Sequence, residues 1–162
     1  MSDWMPLEGQ EAVDALMTAF DRFHDSCLRE TSLATETYVH RDGAMATPGH
    51  LDTSLILFFQ SQGASEQAIE LRCDGVSSFR FTATSDNRDS IITGCEFSGS
   101  PDAQRLGLFF VGLPLIGPPD GELHRSVADD EAPAVEVIAS RMAWRPIRDA
   151  LGPRLRHRRA NA

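Results

Sequence analysis

Phe23-His24-Asp25-Ser26-Cys27 sets an imidazole, a carboxylate, a hydroxyl and a thiol within five positions, the densest polar constellation in the chain. Such a set could supply a general base oriented by a carboxylate, or a metal ligand, for a small hydrolase or metal-dependent enzyme; His50 or His124 would be its distant third group. Adjacent side chains on a helix or strand point apart, however, and do not converge on one atom. His24 also stands four residues after Phe20 and eleven after Val13, which places it on the apolar stripe of a helix, where an imidazole bonds to backbone. Asp25 or Ser26 would then end that helix. The scaffold reading is preferred, no catalytic residue is assigned, and His24 and Asp25 are kept as candidate binding residues.

The remaining reactive side chains are scattered. His24, His40, His50, His124 and His157 show no repeated short spacing, so neither a metal nor a cofactor is expected. Cys27, Cys73 and Cys95 are odd in number and lack CxxC spacing, which suits reduced thiols; Cys73 and Cys95 alternate with apolar neighbours and read as small core residues. Phosphate-binding glycine loops, HExxH, GxSxG and a calcium loop are absent. Trp144-Arg145 is a candidate recognition pair, because tryptophan and arginine anchor interfaces, although Trp144 also suits closure of a core.

The elements that must carry these residues follow from periodicity. Val13, Leu16, Met17, Phe20 and Phe23 recur at steps of three and four, which predicts an amphipathic helix over residues 8 to 23. Threonines and Val39 make residues 27 to 39 extended, and the small and turn-forming residues of 40 to 50 predict a loop. Leu55 to Phe59 is apolar on both faces and reads as a central strand, whereas Ile69, Leu71 and Cys73 alternate with Glu70, Arg72 and Asp74, predicting one wet face. Asp74-Gly75 suits a tight hairpin leading into a strand over 76 to 83. Turns are expected at 85 to 89 and 99 to 104, and strands at 91 to 97 and 106 to 111. Residues 112 to 133, with Pro114, Pro118, Pro119 and the acids from Asp120 to Glu131, predict a long solvated loop. In the last strand, 134 to 144, the apolar set changes parity from Val135 and Val137 to Ile138, Met142 and Trp144, predicting a bulge near Ala139.

The fold class expected is therefore α+β, mainly β: one N-terminal helix packed on a six- or seven-stranded, mostly antiparallel meander sheet that curls into a half-barrel or sandwich. With 162 residues, 41% hydrophobic and 24% charged, residues 1 to 152 suffice for one globular domain, and 153 to 162 form a basic tail expected to be disordered. Residues 1 to 152 hold all 24 acids and 11 arginines, the last ten residues the other four, and lysine is absent. An acidic body repels phosphate backbones, so nucleic acid is not an expected partner, and a basic protein is. No secretory signal opens the chain, and glycines and prolines interrupt its longest apolar run, 106 to 119, so a cytoplasmic protein without a membrane span is expected.

The words FHDSCL (23 to 28), ETYV (36 to 39), HLDTS (50 to 54), AIELRCDGV (68 to 76), DSIITG (89 to 94) and EVIASRMAWR (136 to 145) together resemble a family of uncharacterised bacterial proteins, over most of residues 20 to 145. More loosely, the helix, the His-Asp pair and the following strands resemble β-rich immunity proteins of bacterial toxin systems. The resemblance implies a strand framework led by the His-Asp pair and supplies no catalytic residues. The function expected is a non-catalytic protein-binding or interaction module, conceivably immunity-like, with an exposed sheet edge open to a partner or to a second copy in a homodimer. The alternative is the small hydrolase or metal-dependent enzyme built on His24 and Asp25.

Overall fold

The computed structural model describes residues 4–82, 90–100, 102–110 and 133–153. The chain runs through β1 (Met5–Pro6), α1 (Gly9–Ala19), a 3-10 turn (Asp21–Phe23), β2 (Ser26–Thr35), β3 (Tyr38–Val39), β4 (Met45–Ala46), β5 (Thr53–Ser61), β6 (Ala68–Phe81), β7 (Ile92–Ser100), β8 (Ala103–Phe110) and β9 (Val135–Pro146). The fold is α+β and mainly β, with a seven-stranded antiparallel sheet in the order β1-β9-β6-β5-β2-β7-β8. The expected turn at 85–89, the body of the 112–133 loop and the tail beyond residue 153 lie outside the described residues.

The sheet is built from two meanders, β2-β5-β6 and β7-β8-β9, joined along the full length of β6 and β9. Because β8 also pairs with β9, and β2 meets β7 at Ser26 and Ile92, the sheet curls into a partial ring. Alternation then decides what lies inside. Leu55, Leu57 and Phe59 of β5, Ile69, Leu71 and Cys73 of β6, Leu106 and Leu108 of β8, and Val135 and Val137 of β9 form one buried cluster. Leu16 of α1 and Phe20 and Phe23 beyond it join the same cluster.

Asp74-Gly75 is not a hairpin. β6 runs through it without a break, 14 residues long, with Gly75 at φ +63°. A Cβ at position 75 would lie 2.7 Å from Ser140 Oγ on β9, so glycine lets two long strands cross closely. At this point the inward face changes parity on both strands, from Cys73 and Met142 to Val76 and Ala139. The change of face anticipated in β9 is therefore real, but the extra residue in the ladder sits on β6, between Val76 and Ser78. Gly75 and Ser140 make a corner at which the strands pass from the β2-β5 half of the sheet to the β7-β8 half.

The helix ends at Ala19, four residues earlier than periodicity suggests. Phe20 and Phe23 are nonetheless fully buried, with edge-on ring contacts to each other at 5.0 Å and from Phe23 to Phe59 at 5.1 Å. Burial of each ring supplies about 1.5–3 kcal/mol. The helix end is anchored by Glu66 N–H and Ser65 Oγ, both donating to Ala19 C=O from the β5–β6 connection. No helix among the described residues is long and apolar enough to cross a membrane.

Candidate functional site

The His-Asp pair sits on a backbone turned the wrong way for L-residues. Asp21, Arg22, Phe23 and Asp25 have φ of +45°, +51°, +63° and +50°, each costing about 1–2 kcal/mol. The buried Phe20 and Phe23 rings hold the turn in place, with Ser26 Oγ donating to Phe23 C=O at 2.6 Å and Gln62 N–H donating to Asp25 C=O at 3.1 Å. The left-handed Asp25 brings neighbouring side chains together: His24 Nδ1 lies 3.2 Å from Asp25 Oδ2. The expectation that His24 lies on the apolar stripe, tied to backbone, is overturned. Its ring is half exposed, because the helix has ended before it.

Neither distant histidine considered as a third group is placed beside this pair among the described residues. His50 sits beyond the far end of β2, a ten-residue strand spanning about 30 Å, so it cannot join His24 in one site. His124 lies outside the described residues. A cleft of about 510 Å³ between the β5–β6 connection and the segment after β9 is lined by Ser65, Glu66, Gln67, Arg148 and Asp149 among others, and neither His24 nor Asp25 borders it. No group of three or more His, Cys, Asp or Glu side chains among the described residues could hold a metal. Burial, with Asp74 nearby, pushes the Cys73 thiol up to about 12, and burial with Glu96 nearby does the same at Cys95, so both stay protonated and unreactive.

Trp144 and Arg145 point to opposite faces of β9. Trp144 is buried in the core opposite Leu71. Arg145 lies on the outer face, where its Nε and Nη2 donate to Glu70 Oε2 at 2.9 and 2.6 Å. Its guanidinium also stacks on Trp4 at 4.4 Å from the ring centroid, with Arg72 at 4.8 Å from the same ring. The face expected to be wet is closed at Glu70, which is fully buried, while Arg72 and Asp74 further along it stay partly exposed. The sequence reading missed Trp4, which lies in a segment without periodicity, and its role emerges only once β1 is laid against β9.

A different region is open. β3 and β4 pair as a short hairpin, Tyr38 opposite Ala46 and Val39 opposite Met45, inside the stretch expected to be strand end and loop. Leu33, Tyr38, Val39, Met45 and Leu51 are between 54% and 66% exposed, five large apolar side chains within 19 residues of chain. The root of this arm is fixed by polar contacts. Thr37 donates to Asp52 Oδ2 from its N–H at 3.0 Å and its hydroxyl at 2.6 Å, and Glu36 N–H donates to Asp52 C=O. These contacts, the Thr37 hydroxyl foremost, hold the Asp52 carboxyl below its usual range. His50 Nε2 stands 3.5 Å from Glu36 Oε2, and the His40 ring lies edge-on to Tyr38 at 4.8 Å.

No family model, curated protein or solved structure matches this chain.

Proposed function

We propose that the protein is a non-catalytic, cytoplasmic protein-binding module, of the kind that neutralises a toxin, and that it docks a basic partner through the β3–β4 arm. The observation that supports this is the exposure of large apolar side chains on both faces of the arm, Tyr38 on one and Val39 with Met45 directly opposite it on the other, with Leu33 and Leu51 exposed in the segments on either side. The Val39–Met45 pair presents an apolar face of the hairpin to water, and tyrosine and methionine suit contact surfaces. The overall charge of −9 favours a basic partner over a second copy, which would bring like charge to the same surface. An enzymatic reading on His24 and Asp25 gains no support, since the pair lies outside the described cleft.

The test is binding of the purified protein to a basic polypeptide encoded by an adjoining gene, followed by surface-attached kinetics. A complex is expected that loses at least tenfold in affinity when Val39 and Met45, which face each other across the hairpin, are both changed to Ala, as for central interface anchors. Full affinity in that double variant and in Tyr38→Ala would remove the arm from the interface, and no complex at low salt would end the reading.

A further inference from the structure

We infer that the edge of β2 from Thr31 to Thr35 takes an added strand from the basic partner, antiparallel and in a fixed register, with an apolar residue opposite Leu33 and basic residues opposite Glu30 and Glu36. The inference rests on the protein-binding reading above and names the shape and chemistry of the segment that is bound. Bonds at the two ends of β2 fix which way its backbone groups point. Past the C-terminal end Glu36 N–H donates to Asp52 C=O, and before the N-terminal end Gln62 N–H donates to Asp25 C=O. Bonded pairs alternate in an antiparallel ladder, so Glu30, Ser32 and Ala34 exchange bonds with Phe58, Ile56 and Ser54 of β5. The count from Asp25 agrees once the bulge at Arg29 adds its extra residue. Thr31, Leu33 and Thr35 therefore turn their N–H and C=O groups away from β5. Ser26 is turned the same way and meets Ile92, but β2 and β7 both begin there and run in opposite directions, so their pairing ends at once. Among the described residues no backbone group pairs with the outward side of Thr31, Leu33 or Thr35.

The edge lacks the devices that protect one. Thr31-Ser32-Leu33-Ala34-Thr35 holds no charge, proline or glycine, and its threonines suit a strand. Leu33 stands opposite Leu55, on the face of the sheet that carries the core, yet it is 54% exposed while Leu55 is fully buried. The apolar face thus runs out uncovered onto β2, and an apolar residue paired with Leu33 would extend it. On the other face the stretch is bracketed by Glu30 and by the exposed Glu36, each three positions from Leu33. The neighbouring cation, Arg29, is turned to Pro153 C=O at 2.6 Å. Self-pairing of two copies about Leu33 would set Glu30 against Glu36 twice, like charge on like. A segment with Lys or Arg three positions to either side of an apolar residue instead meets both carboxylates with opposite charge, while main-chain bonds to the edge supply the register.

The test uses the full chain and the peptide Lys-Val-Lys-Val-Lys-Val-Lys, with a copy N-methylated at its valines, the residues whose N–H groups would face β2. Amide exchange is expected to be fast at Thr31, Leu33 and Thr35 in the free protein and to slow by about tenfold or more on binding, while Ser32 and Ala34, already bonded to β5, change little. The methylated copy is expected to bind more weakly by about tenfold or more, and Leu33→Lys, which puts a blunting charge on the edge, to weaken the parent peptide by about as much. Equal binding of the two peptides, or binding of neither, overturns the added strand; the complex with the adjoining gene's product and its Val39→Ala, Met45→Ala variant then still decides the protein-binding reading. Slow exchange at all three amides in the free protein overturns it as well, the edge being covered by the chain itself if the protein runs as a monomer on sizing and by a second copy if it runs as a dimer.

Discussion

At the scale of single residues, the turn from Phe20 to Ser26 shows how apolar burial can hold a backbone that its own side chains disfavour. Three consecutive left-handed residues, none of them glycine, persist because Phe20 and Phe23 fill the core on either side of the turn. Phe23→Ala should therefore cost about 3–5 kcal/mol by loss of the ring and of the packing that fixes the turn. His24→Ala should change stability by no more than about 0.5 kcal/mol, since the ring is half exposed and its partner, Asp25, is an exposed carboxylate. Urea denaturation of the two variants checks the contrast, and a large loss in His24→Ala would restore a structural role to the imidazole. The apolar spacing announced Phe20 and Phe23 as core residues. Their backbone was illegible, because asparagine or glycine usually marks a left-handed turn and Asp21-Arg22-Phe23 contains neither. The same periodicity extends the helix to His24, whereas the helix stops at Ala19. Tyr38 and Val39 are legible as strand-formers, whereas Met45 falls in a stretch that reads as loop, and none of the three is legible as surface, since exposure depends on a hairpin that pairs apart from the main sheet.

At the scale of elements, Asp-Gly carried two meanings and local pattern could not choose between them. Positive φ at Gly75 suits the tight hairpin expected from flanking alternation, but it equally suits a bend within one strand. The deciding partner is Ser140, 65 residues away, and the parity change between Ala139 and Met142 is the other half of the same corner. Read together, the two local signals describe one feature; read separately, they gave a hairpin that does not exist and a bulge on the neighbouring strand. Gly75→Ala should cost about 1–2 kcal/mol for the left-handed backbone alone, and more because its Cβ would lie 2.7 Å from Ser140 Oγ. Adding Ser140→Gly should recover the steric part and leave the conformational part, a coupling that a double-mutant cycle on thermal or urea unfolding measures. Simple additivity of the two substitutions would mean that the strands do not press on each other at this corner.

For the molecule as a whole, one excess of negative charge should act with opposite sign on folding and on binding. The net charge is −9, so the acids repel one another in the compact state and attract a cation from a distance. Raising salt from 0.1 to 1 M shortens the screening length from about 10 Å to about 3 Å. Self-repulsion then weakens, and the melting temperature of the free protein should rise by a few degrees; the buried pair of Glu70 with Arg145, shielded beneath Trp4, should be little affected. Over the same range the association rate with a basic partner should fall by about tenfold or more, because steering acts across solvent. The apolar contacts of the arm, by contrast, should hold the dissociation rate nearly constant. Thermal unfolding and stopped-flow association at matched salt concentrations separate these effects. An association rate indifferent to salt would show that the arm captures its partner through apolar contact alone, and the acidity of the body would then serve solubility rather than recognition.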